Sequence, residues 1–200
     1  MEEFKHFTLS SIENEKQTIS DRFDRDTKVL SKEEKEEYFE WNSDDYFMIE
    51  DVFTQISVRS FIVILFSYIE DGMNILCNAE YSDKVRYQKK EGLDEFKVKY
   101  TDMQGKGIKR AKLYLEKIIG RNLNSDKQPW SEIETLRKIR NTIVHSDGDA
   151  RDSLKNDGNF TRHLNAGRLK LNDHDKIIIE SGYLDYILIN AREFFIGIEI

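Results

Sequence analysis

The pattern of apolar residues is most regular between Tyr46 and about Glu80, where they recur mainly at three- and four-residue spacings. This spacing places them on one side of an α-helix and predicts the longest helix of the chain. Between Ser60 and Ile69 the apolar residues extend around the helix, as expected for a helix that packs on several sides. Because this stretch is about half as long as a membrane span, we predict a core helix and no contact with a membrane.

Helix-capping residues predict a shorter helix before the long one. Ser31 and Glu34 have the spacing of a capping box, in which each side chain bonds the backbone N–H of the other residue, and a charged helix should follow. The polar stretch 42–45 then predicts a break. We therefore divide the chain into an acidic, partly helical N-terminal segment, residues 1–44, and a helical domain, residues 45–200.

The rest of the chain predicts further helices and one hairpin. A lysine-rich helix is predicted over 108–119, with its end at Gly120. The next helix is predicted to begin at a Ser131–Glu134 capping box and to end at Ser146-Asp147-Gly148. A hairpin near 168–180 and a final helix over 181–197 follow. Together these elements indicate an all-α fold, a bundle of four to five helices with a small β-hairpin.

The composition predicts a cellular compartment and shows an uneven distribution of charge along the chain. Cys77 is the single cysteine, so no intrachain disulfide forms, and we predict a cytoplasmic location. Residues 1–83 hold 8 Lys and Arg against 20 Asp and Glu, a net charge of −12, whereas residues 84–127 hold 13 against 6, a net charge of +7. The basic middle segment predicts either a phosphate-binding face or an ordinary solvated helix surface.

Arg140, Asn141 and His145 are the candidate catalytic residues. At about 100° per residue, Asn141 and His145 lie about 40° apart on one helical face. Arg140 lies about 140° from His145, but its long side chain could swing the guanidinium group toward the imidazole. A cation, an amide and an imidazole thus collect on the solvent side of a helix end.

This set of side chains suits the cleavage of an RNA phosphodiester, in which the 2′-OH is an internal nucleophile. His145 could accept the proton of that hydroxyl or protonate the leaving oxygen. Arg140 could hold the phosphate and stabilise the charge of the transition state, while Asn141 orients the phosphate or the imidazole. No metal or other cofactor is required. The spacing by itself is more often that of a plain helix end, at which arginine and histidine cap carbonyls and pair with acids.

The positions of Arg140, Asn141 and His145 within the stretch Trp130–Gly148 resemble the HEPN superfamily (higher eukaryotes and prokaryotes nucleotide-binding). Its hallmark is an arginine, a few residues beginning with a polar one, and a histidine. The resemblance covers roughly residues 45–197 and implies a HEPN-like helical bundle that dimerises so that two motif helices face each other across a cleft. It also implies a metal-independent endoribonuclease of toxin–antitoxin, abortive-infection or antiviral systems, with 2′,3′-cyclic phosphate products.

The resemblance and the basic segment add weaker candidates. Family members often carry an acidic or polar residue on a neighbouring helix, which makes Glu70 an auxiliary candidate, although an acid that simply ends an apolar run is the more frequent case. Lysines and an arginine of the basic segment could contact the RNA backbone; they are Lys106, Lys109, Arg110 and Lys112. No histidine, cysteine or acidic pattern predicts a metal site.

Two other functions stay open. The acidic first third of the chain favours a non-catalytic helical module that binds a partner protein, a nucleotide or RNA, because its charge opposes unselective RNA binding. In a purely structural dimer, Arg140 and His145 would only stabilise an interface. The expected partners are RNA, a second copy of the chain, and an antitoxin or another protein.

Overall fold

The computed structural model describes residues 1–124, 127–150 and 152–198. Its helices are α1 (Glu2–Asp26), α2 (Lys32–Phe47), α3 (Thr54–Lys90), α4 (Gly107–Tyr114), α5 (Gln128–Ser146), α6 (Asp152–Lys155), α7 (Gly158–Asn165) and α8 (Ser181–Ile196), and its strands are β1 (Leu169–Leu171) and β2 (Ile177–Ile179). One turn of π-helix, Met48–Phe53, joins α2 to α3, and another, Leu115–Ile119, extends α4 as far as Gly120. The predicted all-α fold class with a small hairpin is confirmed.

Helix α3 is the central helix of the hydrophobic core. Its buried apolar side chains are Val58, Phe61, Ile62, Leu65, Phe66, Ile69, Met73 and Cys77. Helices α1, α4, α5 and α8 and strand β2 all pack on it. The long helix predicted from the apolar pattern is therefore confirmed as an element. It begins at Thr54 instead of Tyr46 and extends ten residues further than predicted, to Lys90.

Helix α3 is also the one described helix that is long and apolar enough to span a membrane by length and composition. Its most apolar window has a mean hydropathy of 1.4, and 39 % of that window is buried inside the protein. The central place of α3 in the core accounts for the buried part. The part that is not buried includes exposed apolar side chains, Ile64 and Tyr68, beside the polar Ser67.

Residues near the N-terminus pack onto α3. The ring of Phe4 stacks on Phe61 with the centroids 5.7 Å apart, Ile12 is buried, and Lys5 bonds Asp185 of α8. Within the N-terminal segment the sequence predicted a helix only after Ser31, whereas α1 covers 25 residues before it. Its packing on α3 explains why a helix with so weak an apolar pattern is stable here.

The capping box that begins α2 is confirmed, but the break after it is wrong. Ser31 N–H donates to Glu34 Oε2 at 2.7 Å, and Glu34 N–H donates to Ser31 Oγ at 3.3 Å. The backbone then stays helical through residues 42–45. Asn42 and Ser43 bond the carbonyls of preceding residues, Tyr38 and Glu40, instead of capping a new helix. The division of the chain after residue 44 stays a prediction.

The capping box predicted at the start of α5 is also wrong. The helix begins at Gln128, with Pro129 in its first turn, where a missing N–H costs nothing. Ser131 lies inside the helix and donates from Oγ to Gln128 O at 2.9 Å. The predicted end is confirmed: Asp147 has left-handed backbone geometry, and Gly148 N–H donates to Thr142 O at 3.0 Å.

The hairpin connects the C-terminal half of the fold to α3. Strands β1 and β2 are antiparallel, with Leu169 opposite Ile179. Gln55 of α3 binds both backbone groups of Ile179, donating to its oxygen at 3.3 Å and accepting from its nitrogen at 3.0 Å. Strand β2 therefore lies directly against α3, close to the point where α5 ends.

Candidate functional site

The three candidate catalytic residues lie on the last two turns of α5. The buried face of this helix holds Ile133, Leu136 and Ile139, none of which is exposed to solvent. Arg140 and Asn141 are half-buried beside that face, whereas His145 is exposed one turn further on. The helical period therefore gives the three side chains different depths, from a half-buried cation to an open imidazole.

The Arg140 side chain is directed toward α3. Its Nη1 donates to Asn141 Oδ1 at 3.1 Å, and its guanidinium carbon lies 5.8 Å from the centroid of the Phe66 ring. Its Nε is buried without a hydrogen-bond partner among the described residues. The structure brings Arg140 and Asn141 together as the sequence suggested, and Phe66 supplies a cation–π contact that the sequence did not.

The His145 imidazole points into solvent at the end of α5. Within the part of the chain that the structure describes, it has no hydrogen bond or ion pair, and Arg140 does not reach it. The predicted swing of Arg140 toward the imidazole is thus not the arrangement in a single chain. What the geometry offers is an imidazole ring that is accessible from solvent.

A charged cluster fixes the backbone just beyond His145. Arg59 of α3 donates from Nη2 to Ile177 O at 2.8 Å and lies 3.5 Å from Asp147 Oδ1. Lys176 bonds the other oxygen of the same carboxylate. The Lys176 bond and charge, with a smaller contribution from Arg59, lower the pKa of Asp147 below its ordinary value. Helix α3 and the hairpin together hold the end of α5 in place.

Glu70 lies one helical turn beyond Phe66, the ring that Arg140 contacts. Its carboxylate faces the first residue of α4, because a Cβ added at Gly107 would lie 2.6 Å from Glu70 Oε1. Gly107 has a φ of +56°, so both its backbone and its surroundings favour glycine. The auxiliary candidate is therefore on the same helix as the Arg140 contact, next to the start of α4.

The four basic RNA-contact candidates lie on or beside α4 and mostly have partners within the chain. Lys109 is 3.8 Å from Glu134, and the Arg110 guanidinium lies over Tyr100. Lys112 lies over the Trp130 ring and 3.3 Å from Glu116. Lys106 is exposed and occupies the N-cap position of α4 without a side-chain capping bond. Partial neutralisation by Glu134 and Glu116 makes this a mixed surface rather than a uniformly basic one.

A second polar cluster, which the sequence did not reveal, is buried between α5, α7 and α8. Glu132 is fully buried and accepts bonds from Arg162, from His163 Nε2 at 2.8 Å and from the Tyr186 hydroxyl at 3.1 Å. Burial, reinforced by the charges of Arg162 and Arg168, lowers the pKa of His163 to about 4. At neutral pH a neutral imidazole therefore donates to the Glu132 carboxylate.

Both clusters unite residues that are distant in sequence. Arg59 precedes Asp147 by 88 positions, and Glu132 precedes His163 by 31. Arg59 was visible only as the charge that bounds an apolar run, and His163 only as an isolated histidine. Asp157 is a local indication only of where α7 begins, because its side chain accepts bonds from the N–H groups of Asn159 and Phe160.

No protein-family model, no curated protein and no solved structure matches the chain. Across the described residues, no group of three or more histidine, cysteine, aspartate and glutamate side chains is placed to hold a metal ion.

Proposed function

We propose that the chain is a metal-independent endoribonuclease of the HEPN type, acting as a homodimer in bacterial defence or in a toxin–antitoxin or stress response. The observation that carries the proposal is the end of α5. There an exposed imidazole, His145, follows a half-buried Arg140 that is bonded to Asn141. We place the activity in the cytoplasm, an inference that rests on the single cysteine, Cys77.

The reaction would be an internal transesterification of RNA. The 2′-oxygen forms a bond to phosphorus as the bond from phosphorus to the 5′-oxygen breaks, which leaves a 2′,3′-cyclic phosphate and a 5′-hydroxyl. His145 takes the proton of the 2′-OH or gives a proton to the 5′-oxygen. With two copies of the motif in a dimer, one imidazole can perform each transfer.

Arg140 would stabilise the negative charge that builds on the phosphate oxygens. Its guanidinium is kept in a narrow range of positions by Phe66 on one side and Asn141 on the other. A group held in this way needs little reorganisation when the substrate binds. Arg140 and His145 do not contact each other within one chain. In the proposed dimer the two motif helices would face a shared cleft, so that Arg140 and His145 of both copies could act on one bound RNA.

The proposal is tested by incubating the purified protein with RNA in excess EDTA. Cleavage should proceed and leave 2′,3′-cyclic phosphate ends, and His145→Ala should abolish it with unchanged unfolding. His174→Ala is the matched control, because His174 is also exposed and lies in the turn of the hairpin. Cleavage at the wild-type rate by the His145→Ala protein would sink the assignment.

The second candidate is a non-catalytic HEPN-like module that binds a partner protein, a nucleotide or RNA. The observation that favours it is the engagement of Arg140 with Asn141 and Phe66, which leaves its Nε buried. The net charge of −12 over residues 1–83 also favours this candidate, because it opposes unselective RNA binding. Tight binding of RNA or a nucleotide with no cleavage of any substrate would select this function.

A further inference from the structure

Two cations converge on one exposed carboxylate immediately after His145. Asp147 lies 3.5 Å from Arg59 Nη1 through Oδ1, and Lys176 bonds its Oδ2. The Asp147 side chain is 76 % exposed, whereas those of Arg59 and Lys176 are 16 % and 37 % exposed. The carboxylate is thus the outermost member of the cluster, and two positive charges stand behind it.

The Arg59 guanidinium is anchored independently of the Asp147 carboxylate. Its Nη2 donates to Ile177 O at 2.8 Å, and its Nη1 reaches Asp147 O at 3.4 Å. Gly148 leaves room for it, since a Cβ there would lie 2.9 Å from Arg59 Nη2. The arginine therefore stays in place if the carboxylate moves, and an exposed ion pair opposes that movement only weakly.

A phosphodiester carries the same single negative charge as the carboxylate and, like it, presents two anionic oxygens to the planar guanidinium. Arg59 and Asp147 line a cavity of about 440 Å³ between α3 and α5, two residues from His145. We propose that Arg59 and Lys176 form a phosphate subsite for RNA, at which a phosphate next to the scissile one displaces the Asp147 carboxylate. This assignment rests on the proposed function and extends it by naming a second anchoring point for the RNA chain.

The Asp147 carboxylate would then act as an internal competitor of the substrate. In the free protein it neutralises part of the positive charge beside His145. A phosphate occupies the subsite only by replacing it, so removal of the carboxylate should strengthen RNA binding. The effect should exceed that of removing any other single negative charge from the same region.

The test compares Asp147→Asn with Asp175→Asn. Both aspartates have positive φ, +49° and +58°, which asparagine tolerates, and both pair with a lysine, Asp175 with Lys155 at 2.8 Å. Binding is measured by fluorescence anisotropy with 2′-O-methyl RNA, which lacks the attacking hydroxyl and cannot be cleaved. Asp147→Asn should tighten binding roughly three- to tenfold more than Asp175→Asn and make the salt dependence steeper by about one phosphate contact.

Lys176→Gln in the Asp147→Asn background should return the affinity toward that of the wild type; it changes a partly exposed side chain, so folding is not at stake. Equal tightening by both asparagine variants, or no loss on adding Lys176→Gln, overturns the subsite. Cleavage of unmodified RNA by the wild type and by the His145→Ala protein is measured in a separate assay. If Asp147→Asn selectively tightens RNA binding but no cleavage depends on His145, the ribonuclease proposal is wrong and the phosphate subsite stands. If cleavage depends on His145 but Asp147→Asn does not selectively tighten binding, only the phosphate subsite is wrong.

Discussion

Gly148 is the residue on which the end of α5 depends. Its φ of +80° belongs to the left-handed region, and a Cβ there would meet Arg59 Nη2 at 2.9 Å. Gly167 has a similar φ, +67°, with nothing within 4 Å of the added Cβ. The two glycines therefore share the backbone requirement, and only Gly148 has the close approach of a side chain.

We predict that Gly167→Ala lowers the free energy of unfolding by about 1 kcal/mol, the cost of a left-handed non-glycine residue. Gly148→Ala should cost about 1 kcal/mol more, because it displaces Arg59 from its bond to Ile177 O. Urea denaturation of both variants gives the comparison. Equal losses would show that Arg59 moves aside freely and contributes nothing to the α5 end.

At the scale of elements, the Glu132–His163 pair fastens α7 to the motif helix α5. The ring of His163 also packs edge-on against Tyr183 and Tyr186 of α8, with centroids 5.0 Å away in both cases. A carboxylate with no solvent exposure is tolerated because Arg162, His163 and Tyr186 all donate to it. Three helices thus share one buried polar contact.

This contact predicts how stability depends on pH. The pKa of His163 is about 4 in the folded protein, below the ordinary value of about 6.5 that the unfolded chain restores. Between pH 6.5 and 4 the unfolded chain therefore binds a proton that the folded chain does not. Stability from this residue is fully present above that window and falls through it as the pH drops, by at most about 3 kcal/mol.

The prediction is checked with His163→Gln, whose amide can still donate to Glu132 but does not titrate. Its unfolding free energy should vary less with pH between 6.5 and 4 than that of the wild type. His174→Gln serves as the control, because that ring is exposed in the folded protein as it is in the unfolded chain. A wild-type pH slope in His163→Gln would contradict the assignment of the lost stability to His163.

At the scale of the whole molecule, the exposed side of α3 carries several large apolar side chains. Tyr68 and Ile75 are 62 % and 68 % exposed, and they lie seven residues apart on one face of the helix. Ile64 on the same helix is exposed as well, and it lines the cavity beside Ile143 of α5. Exposed apolar side chains of α3 thus extend as far as the end of the motif helix, where a second copy would have to bind to complete the proposed site.

We predict that Tyr68→Glu with Ile75→Glu converts a dimer into a monomer, because two charges would be buried in the interface. The matched control changes Ile189 and Ile196 of α8, which are 56 % and 71 % exposed and have the same spacing. Light scattering during size-exclusion chromatography gives the mass of each variant. If the α8 variant were monomeric and the α3 variant dimeric, the interface would lie on α8 instead. A monomeric wild-type protein would exclude the proposed dimer.

The sequence by itself determined the long core helix, the capping box of α2, the end of α5, the hairpin and the final helix. Each depends on spacing or on backbone chemistry within a few residues, such as the left-handed geometry at Asp147 and Gly148. The same local reasoning missed α1, because weak helix propensity there is outweighed by packing on α3. It also predicted a break at 42–45, where Asn42 and Ser43 bond preceding carbonyls and the helix continues.

The sequence also located Arg140, Asn141 and His145 on one helix end, since a helical period fixes their relative angles. Only the tertiary structure decided that Arg140 lies over Phe66, that Lys109 and Lys112 have acidic neighbours, and that Arg59 and Lys176 surround Asp147. Those contacts join residues that are distant along the chain. They follow from how helices pack together, and the charge of a side chain in one sequence does not reveal which partner will neutralise it.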